Sequence, residues 1–186
     1  MNEFNFSVPQ NIIVGRGSMA KLPEIAKKMG GKHAFIISGP HLKKMGLVEK
    51  AAESLRAEGI LVDDFTDIEG NPSVTTVEAA TEAFQASGAD FIVAFGGGSP
   101  MDCAKAACAR VVRPNKTIPQ MRGQLKVMHK LPPFFAVPTT AGTGSETTLA
   151  AVVSNTKTHE KYAINDPCLR PKFAVLDPEL TVGLPP

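Results

Sequence analysis

Phe91-Ile92-Val93-Ala94-Phe95-Gly96-Gly97-Gly98-Ser99-Pro100-Met101-Asp102 decides the fold. Its opening residues are apolar without alternation, the pattern of a strand buried on both faces in a parallel sheet. Gly96, Gly97 and Gly98 let the backbone turn sharply and approach a ligand with no Cβ in the way. Ser99 reads as a helix N-cap, Pro100 as the first helical residue and Asp102 as an acid in the first turn. Strand, glycine turn and helix start in this order leave free backbone N–H groups at a positive helix end, where phosphate binds. The residues alone also leave open a glycine turn that binds nothing.

Upstream of this stretch the chain alternates strands and helices. Residues 4–14 read as an edge strand ending at Val14-Gly15-Arg16-Gly17. Ser18 is expected to cap a helix carrying Met19, Leu22, Ile25, Ala26 and Met29, closed by Gly30-Gly31. Ala34–Ser38 is a short apolar strand, followed by a helix with Met45, Val48, Ala52 and Leu55 on one face. Ile60–Phe65 reads as another strand, and Ser73 caps the next helix after the break at Asn71-Pro72. The alternation predicts an α/β fold, a Rossmann-like parallel sheet flanked by helices. Ligands of such sheets collect at the carboxyl ends of the strands, which places Gly39, Asn71 and Gly96–Ser99 along one edge.

Downstream, residues 113–133 are proline-dotted and read as a connecting excursion with a short helix. Phe134–Val137 is a buried strand running into Pro138-Thr139-Thr140-Ala141-Gly142-Thr143-Gly144-Ser145-Glu146. This second loop offers backbone N–H groups and hydroxyls with little bulk, as a pyrophosphate, ribose or carboxamide needs. A ligand-free linker is the other reading. Leu149–Ser154 and Lys161–Asn165 form a small β-hairpin excursion, and Phe173–Leu176 is the last strand.

Bulk properties narrow the function. The 186 residues suffice for one α/β domain, which buries roughly 70% of its unfolded surface. Twenty Lys and Arg against eighteen Asp and Glu leave +2, so no basic field points to nucleic acid. Cys103, Cys108 and Cys168 form no metal-like pair; Cys103 and Cys108 lie on a small-residue helix, Met101–Val112, and read as core packing. A reducing cytoplasm fits them. The start, Met1 to Phe6, carries no signal-peptide pattern. No apolar run approaches the ~20 residues of a membrane span. His33, His41, His129 and His159 show no i, i+4 pairing with each other or with a carboxylate, so none is read as a metal ligand.

These motifs resemble the iron-containing alcohol dehydrogenase family. Gly96–Asp102 with Ala104-Lys105 is similar to that family's GGGSxxD-x-AK segment, and Pro138–Glu146 to its PTTAGTGSE segment. Gly15-Arg16-Gly17, Asn71-Pro72, Lys161 and Asp177-Pro178-Glu179-Leu180-Thr181 fall where the family has comparable residues. The resemblance covers the whole chain. It implies hydride transfer between NAD or NADP and a small alcohol or aldehyde, with residues 1–186 as an NAD(P)-binding domain similar to the N-terminal domain of dehydroquinate synthase. By the same resemblance Gly97, Gly98, Ser99 and Asp102 hold the pyrophosphate region. Thr139, Thr140, Thr143 and Ser145 line the ribose and nicotinamide end. Asn71 borders the adenosine ribose, Lys161 donates to the nicotinamide ribose, and Leu180 closes over the cofactor. Where NAD-preferring members often carry an acid after the second strand, this chain has Gly39, followed by Pro40, His41, Lys43 and Lys44, which makes NADP at least as plausible as NAD.

The family's divalent metal, expected to be iron, is held by an Asp and three His in an all-helical second half beyond the Gly-Leu-Pro-Pro segment. No catalytic or metal-binding residue of this chain is therefore assigned, and this half alone is expected to be inactive. A homo-oligomer is expected. Rival readings are a glycerol dehydrogenase, a dehydroquinate synthase-like enzyme, or a nucleotide-binding module without catalysis.

Overall fold

Strand β4 (Phe91–Gly96) pairs with β2 (His33–Ser38) on one side and with β6 (Phe134–Pro138) on the other, all parallel. In this computed structural model, which describes residues 11–156 and 158–183, the six strands run β1-β9-β6-β4-β2-β3. Here β1 is Asn11–Val14, β3 is Leu61–Phe65 and β9 is Phe173–Leu176. Every pairing is parallel. The edge-strand reading holds for Asn11–Val14, and its residues 4–10 lie outside the described ones.

Both faces of the sheet are covered, which is why its central strands lack polar alternation. One face carries α1 (Leu22–Lys28) and α3 (Leu47–Ala57) over Ala34, Ile36, Phe91, Val93 and Phe135. The other carries α4 (Val74–Ser87) and α5 (Gly98–Val112) over Phe35, Ile37, Ile92, Ala94 and Ala136. Helix α5 is buried along most of its length by Cys103, Ala104, Ala106, Ala107, Cys108 and Ala109. Small side chains allow that close seating. Burial pushes the Cys103 and Cys108 thiols up, the latter to about 12, so both are inert packing groups as expected.

A second sheet of three strands sits beside the first: β5 (Gly123–Gln124), β8 (Glu160–Asn165) and β7 (Ala150–Asn155). Strands β7 and β8 are the expected antiparallel hairpin.

Three boundaries differ from the sequence reading. Ser18 does not cap a helix; Gly17, left-handed at φ 70°, precedes a 3-10 turn, Ser18–Lys21, and α1 begins only at Leu22. The Asp177 carboxylate accepts from the Gly17 and Met19 amides, so the capping oxygens come from far along the chain. The helix after β2 is broken in two, α2 (Pro40–Lys44) and α3, by left-handed Gly46. The helix after the glycine turn starts at Gly98 rather than at Pro100. By contrast Ser73 caps α4 as read, its hydroxyl accepting from the Thr76 amide at 3.1 Å. Among the described residues no helix is long and apolar enough to cross a membrane.

Candidate functional site

Strand β2 leads to α3 on one face of the sheet, and its neighbour β4 leads to α5 on the other. Adjacent strands whose connections part to opposite faces leave a crevice at their carboxyl ends, the switch point where ligands of open α/β sheets bind. A cavity of about 390 Å³ occupies this position, its walls including Gly39, His41, Gly97, Thr139, Thr140 and Leu180. Five of those six are residues the sequence singled out.

The glycine turn and the hydroxyl-rich loop meet there. Gly96 and Pro138 are register partners, and the Thr139 amide donates to the Gly96 carbonyl at 3.0 Å. A Cβ on Gly97 would lie 3.0 Å from Thr140 Oγ1 and 3.2 Å from its Cγ2. One on Gly98 would lie 3.3 Å from Ser145 Oγ and 3.5 Å from Thr143 Cγ2. Gly96 has φ +148°, and a Cβ there would stand 2.8 Å from Pro100 Cγ. Each of the three glycines thus has a steric reason.

The helix start corrects the reading of Ser99, Pro100 and Asp102. Gly97 is the N-cap, extended at φ −81°, and no side chain caps the helix. Ser99 is instead the second helical residue, and its hydroxyl accepts from the Asn71 amide at 3.0 Å. Pro100 is third, still within the first turn, where its missing N–H costs nothing. With no side chain capping them, the leading amides of α5 stay available to an anion at the positive helix end.

Asp102 lies beyond the first turn and accepts from the Val152 amide. Burial pushes its carboxyl up to about 6, against the opposing pull of Lys105 and the Val152 amide.

Two hydroxyls at these strand ends lack partners. Ser38 Oγ, at the end of β2, and Thr140 Oγ1, on the cavity wall, are buried without a hydrogen bond. Unpaired buried polar atoms of this kind are uncommon and suit a bound polar group.

Lys105 stands in the sequence as one residue of a motif, and the structure gives it a place. Its side chain is wholly buried. Nζ donates to the carbonyls of Ser145 at 2.6 Å, Thr148 at 2.8 Å and Ala150 at 3.0 Å, and to Thr148 Oγ1 at 2.9 Å. A single charge within Cys103-Ala104-Lys105-Ala106-Ala107-Cys108 was the signal that could have marked it.

The remaining site residues are spread out. Asn71 adopts φ 58° at the turn before α4. Lys161 is exposed on β8, opposite Ser154, whose amide donates to the Pro72 carbonyl, so the hairpin lies beside the Asn71 turn. Lys43, which follows Gly39, is paired with Asp64 at 2.8 Å. His33 is paired with Asp63. Among the described residues no group of three His, Cys, Asp or Glu could hold a metal ion.

The family model for iron-containing alcohol dehydrogenases matches residues 9–178. The chain belongs to the iron-containing alcohol dehydrogenase family. It is 32% identical over 185 residues to NADH-dependent butanol dehydrogenase A of Clostridium acetobutylicum, covering 100% of this chain and 47% of that protein. It is 35% identical over 191 residues to the NADPH-dependent butanol dehydrogenase of Clostridium saccharobutylicum, covering 97% and 46%. The crystal structure of sulfoacetaldehyde reductase from Bifidobacterium kashiwanohense in complex with NAD+ superposes with a TM-score of 0.88 at 32% identity, covering 100% of this chain and 49% of that one. The chain therefore spans about half the length of these iron-containing alcohol dehydrogenase relatives. The Rossmann-like sheet expected from the sequence is the fold they share.

Proposed function

We propose that this chain is the dinucleotide-holding domain of a metal-dependent alcohol or aldehyde oxidoreductase, and that the switch-point cavity takes NAD(P)H. The observation that carries the reading is the contact of Gly97 with Thr140 and of Gly98 with Ser145 beside that cavity. Two small-residue loops from neighbouring strands close on each other and leave room for a phosphate-bearing chain between amides and hydroxyls.

In this reading the amides of Gly97 and Gly98 and the Ser99 hydroxyl hold the pyrophosphate. Gly39, Thr139, Thr140 and Leu180 share one cavity and form the adenosine end, which moves Thr139 and Thr140 away from the nicotinamide end the resemblance implied; Asn71, whose amide reaches Ser99, borders the adenosine ribose. Thr143 and Ser145, facing Gly98, lie toward the nicotinamide, and Lys161 reaches its ribose from the hairpin. Asp102 acts through the β7 amide and Lys105 rather than on the phosphates. A bound dinucleotide supplies the hydride, while these residues bind it and fix its geometry. The described residues offer no ligand cluster for the family's metal. The reading includes a cytoplasmic location and a homo-oligomer; the latter is supported by Ile12 and Val14, which edge strand β1 leaves 42% and 70% exposed.

Gly39 has open space around a would-be Cβ and brings no carboxylate to repel a ribose phosphate, while His41 lines the same cavity. NADPH is therefore expected to bind at least as tightly as NADH. Titration with each, followed by the nucleotide's own fluorescence, tests this, and the absence of tryptophan leaves that emission clear. Saturable binding is the expected result, and neither nucleotide saturating would overturn the assignment. Gly39→Asp should weaken NADPH by about tenfold or more relative to NADH, since a carboxylate facing a phosphate is a like-charge contact.

A further inference from the structure

The hydroxyl-rich loop after β6 is poorly anchored by its own backbone. Gly142 and Gly144 take left-handed angles, φ 97° and 63°, and Ala141, Gly142 and Thr143 are exposed. Local bonds are the Thr147 amide and hydroxyl donating to the Gly144 carbonyl, and two long ones, the Ser145 amide to the Thr143 hydroxyl at 3.4 Å and the Thr148 hydroxyl to the Ser145 carbonyl at 3.5 Å. Against this stands one ammonium whose four oxygen partners all lie between Ser145 and Ala150. Burying a lysine nitrogen is expensive, and an apolar side chain would fill the same space in α5 more cheaply. What the ammonium adds is the position of the loop.

We propose that Lys105 is a positioning residue for the dinucleotide, its buried ammonium drawing the Ser145–Ala150 carbonyls onto α5 so that Thr143 and Ser145 close on Gly98 in the shape that accepts the cofactor. This rests on the dinucleotide reading above. It adds that the loop's contribution depends on a charge outside the loop. The charged groups facing the ammonium are Asp102 from α5 and Glu146 from the loop, both favouring the protonated form. Burial opposes them and pulls Lys105 down to about 8. The amine is then expected to lose its proton in mildly alkaline solution, and with it part of its hold on the carbonyls.

The test is NADH and NADPH titration of the wild-type protein and of Lys105→Met, from neutral to alkaline pH, with circular dichroism as the folding control. In a folded Lys105→Met variant the affinity at neutral pH is expected to fall by about tenfold or more, the scale of losing charge-assisted hydrogen bonds. Wild-type affinity should weaken as pH rises past about 8, whereas that of Lys105→Met should stay flat. A folded variant that binds within about twofold of wild type overturns the proposal. If the variant does not fold, the wild-type profile decides, and an affinity unchanged across the alkaline range overturns it. A wild-type protein that binds neither nucleotide removes the underlying dinucleotide reading as well, and that failure is recognised because it appears without any substitution.

Discussion

The turn after β4 and the loop after β6 reach the same cavity, and different forces hold them. The turn is shaped by sterics: Gly96 sits at φ +148° against the Pro100 ring, and Gly97 and Gly98 have side chains pressed against the space a Cβ would need. The loop is shaped by charge, through Lys105 and the carbonyls it collects. A steric constraint is local and survives changes of pH. A charge-held segment responds to protonation and to any change in the low-dielectric pocket around it. The turn is thus preformed, and the stretch of the loop that faces Gly98 is conditional on a group some forty residues away in the chain.

Substitutions can separate the two regimes. Gly96→Ala should have the largest effect, lowering stability by about 2–4 kcal/mol through backbone strain plus the clash with Pro100. Urea unfolding would show it, and a loss below that range would mean the turn relaxes and the steric account is too strong.

Asp102→Asn probes the charged side. The folded carboxyl titrates near 6 against 3.8 in the open chain, so between those values the folded state holds a proton that the unfolded state has released. Stability contributed by this group therefore falls as pH rises from about 4 to 6, by on the order of 1–2 kcal/mol. The Asn variant should lack that slope, and parallel stability curves for variant and wild type would count against it.

Gly97→Ala acts where the two regimes touch. Its Cβ would press Thr140 by a few tenths of an ångström. The conditional loop should yield, leaving stability nearly unchanged while dinucleotide affinity drops by about tenfold. If stability falls instead, the loop is as rigid as the turn and the contrast fails.

Ser99→Ala should be smallest. An N-cap would cost ~1 kcal/mol on truncation, but Ser99 only accepts from the exposed Asn71 amide, so a change within about 0.5 kcal/mol is expected from chemical unfolding. A full capping loss would restore Ser99 to the helix start.

Much of the architecture was readable because it is written in short-range patterns. Phe91–Gly96, Ala34–Ile37 and Phe134–Val137 are unbroken apolar runs, and such runs have few destinations other than the middle of a parallel sheet. Ser73 capped its helix as read because its partner amide lies only three residues on. Ser18 and Ser99 failed because capping is decided by backbone angles at one residue. In both cases a neighbouring glycine took the N-cap position, and the oxygen that replaced Ser18 came from Asp177.

The sequence by itself determined that helices flank a sheet, that its alternating strands run parallel, and that two small-residue loops end β4 and β6. These follow from hydrophobic period and from glycine's lack of a Cβ, properties of residues and their near neighbours. Only the tertiary structure decided that Gly97 touches Thr140, that Asn71 reaches Ser99 and that Lys105 gathers the loop. Those contacts join segments tens of residues apart. Their existence depends on strand order and on which face each helix takes, which no local pattern encodes.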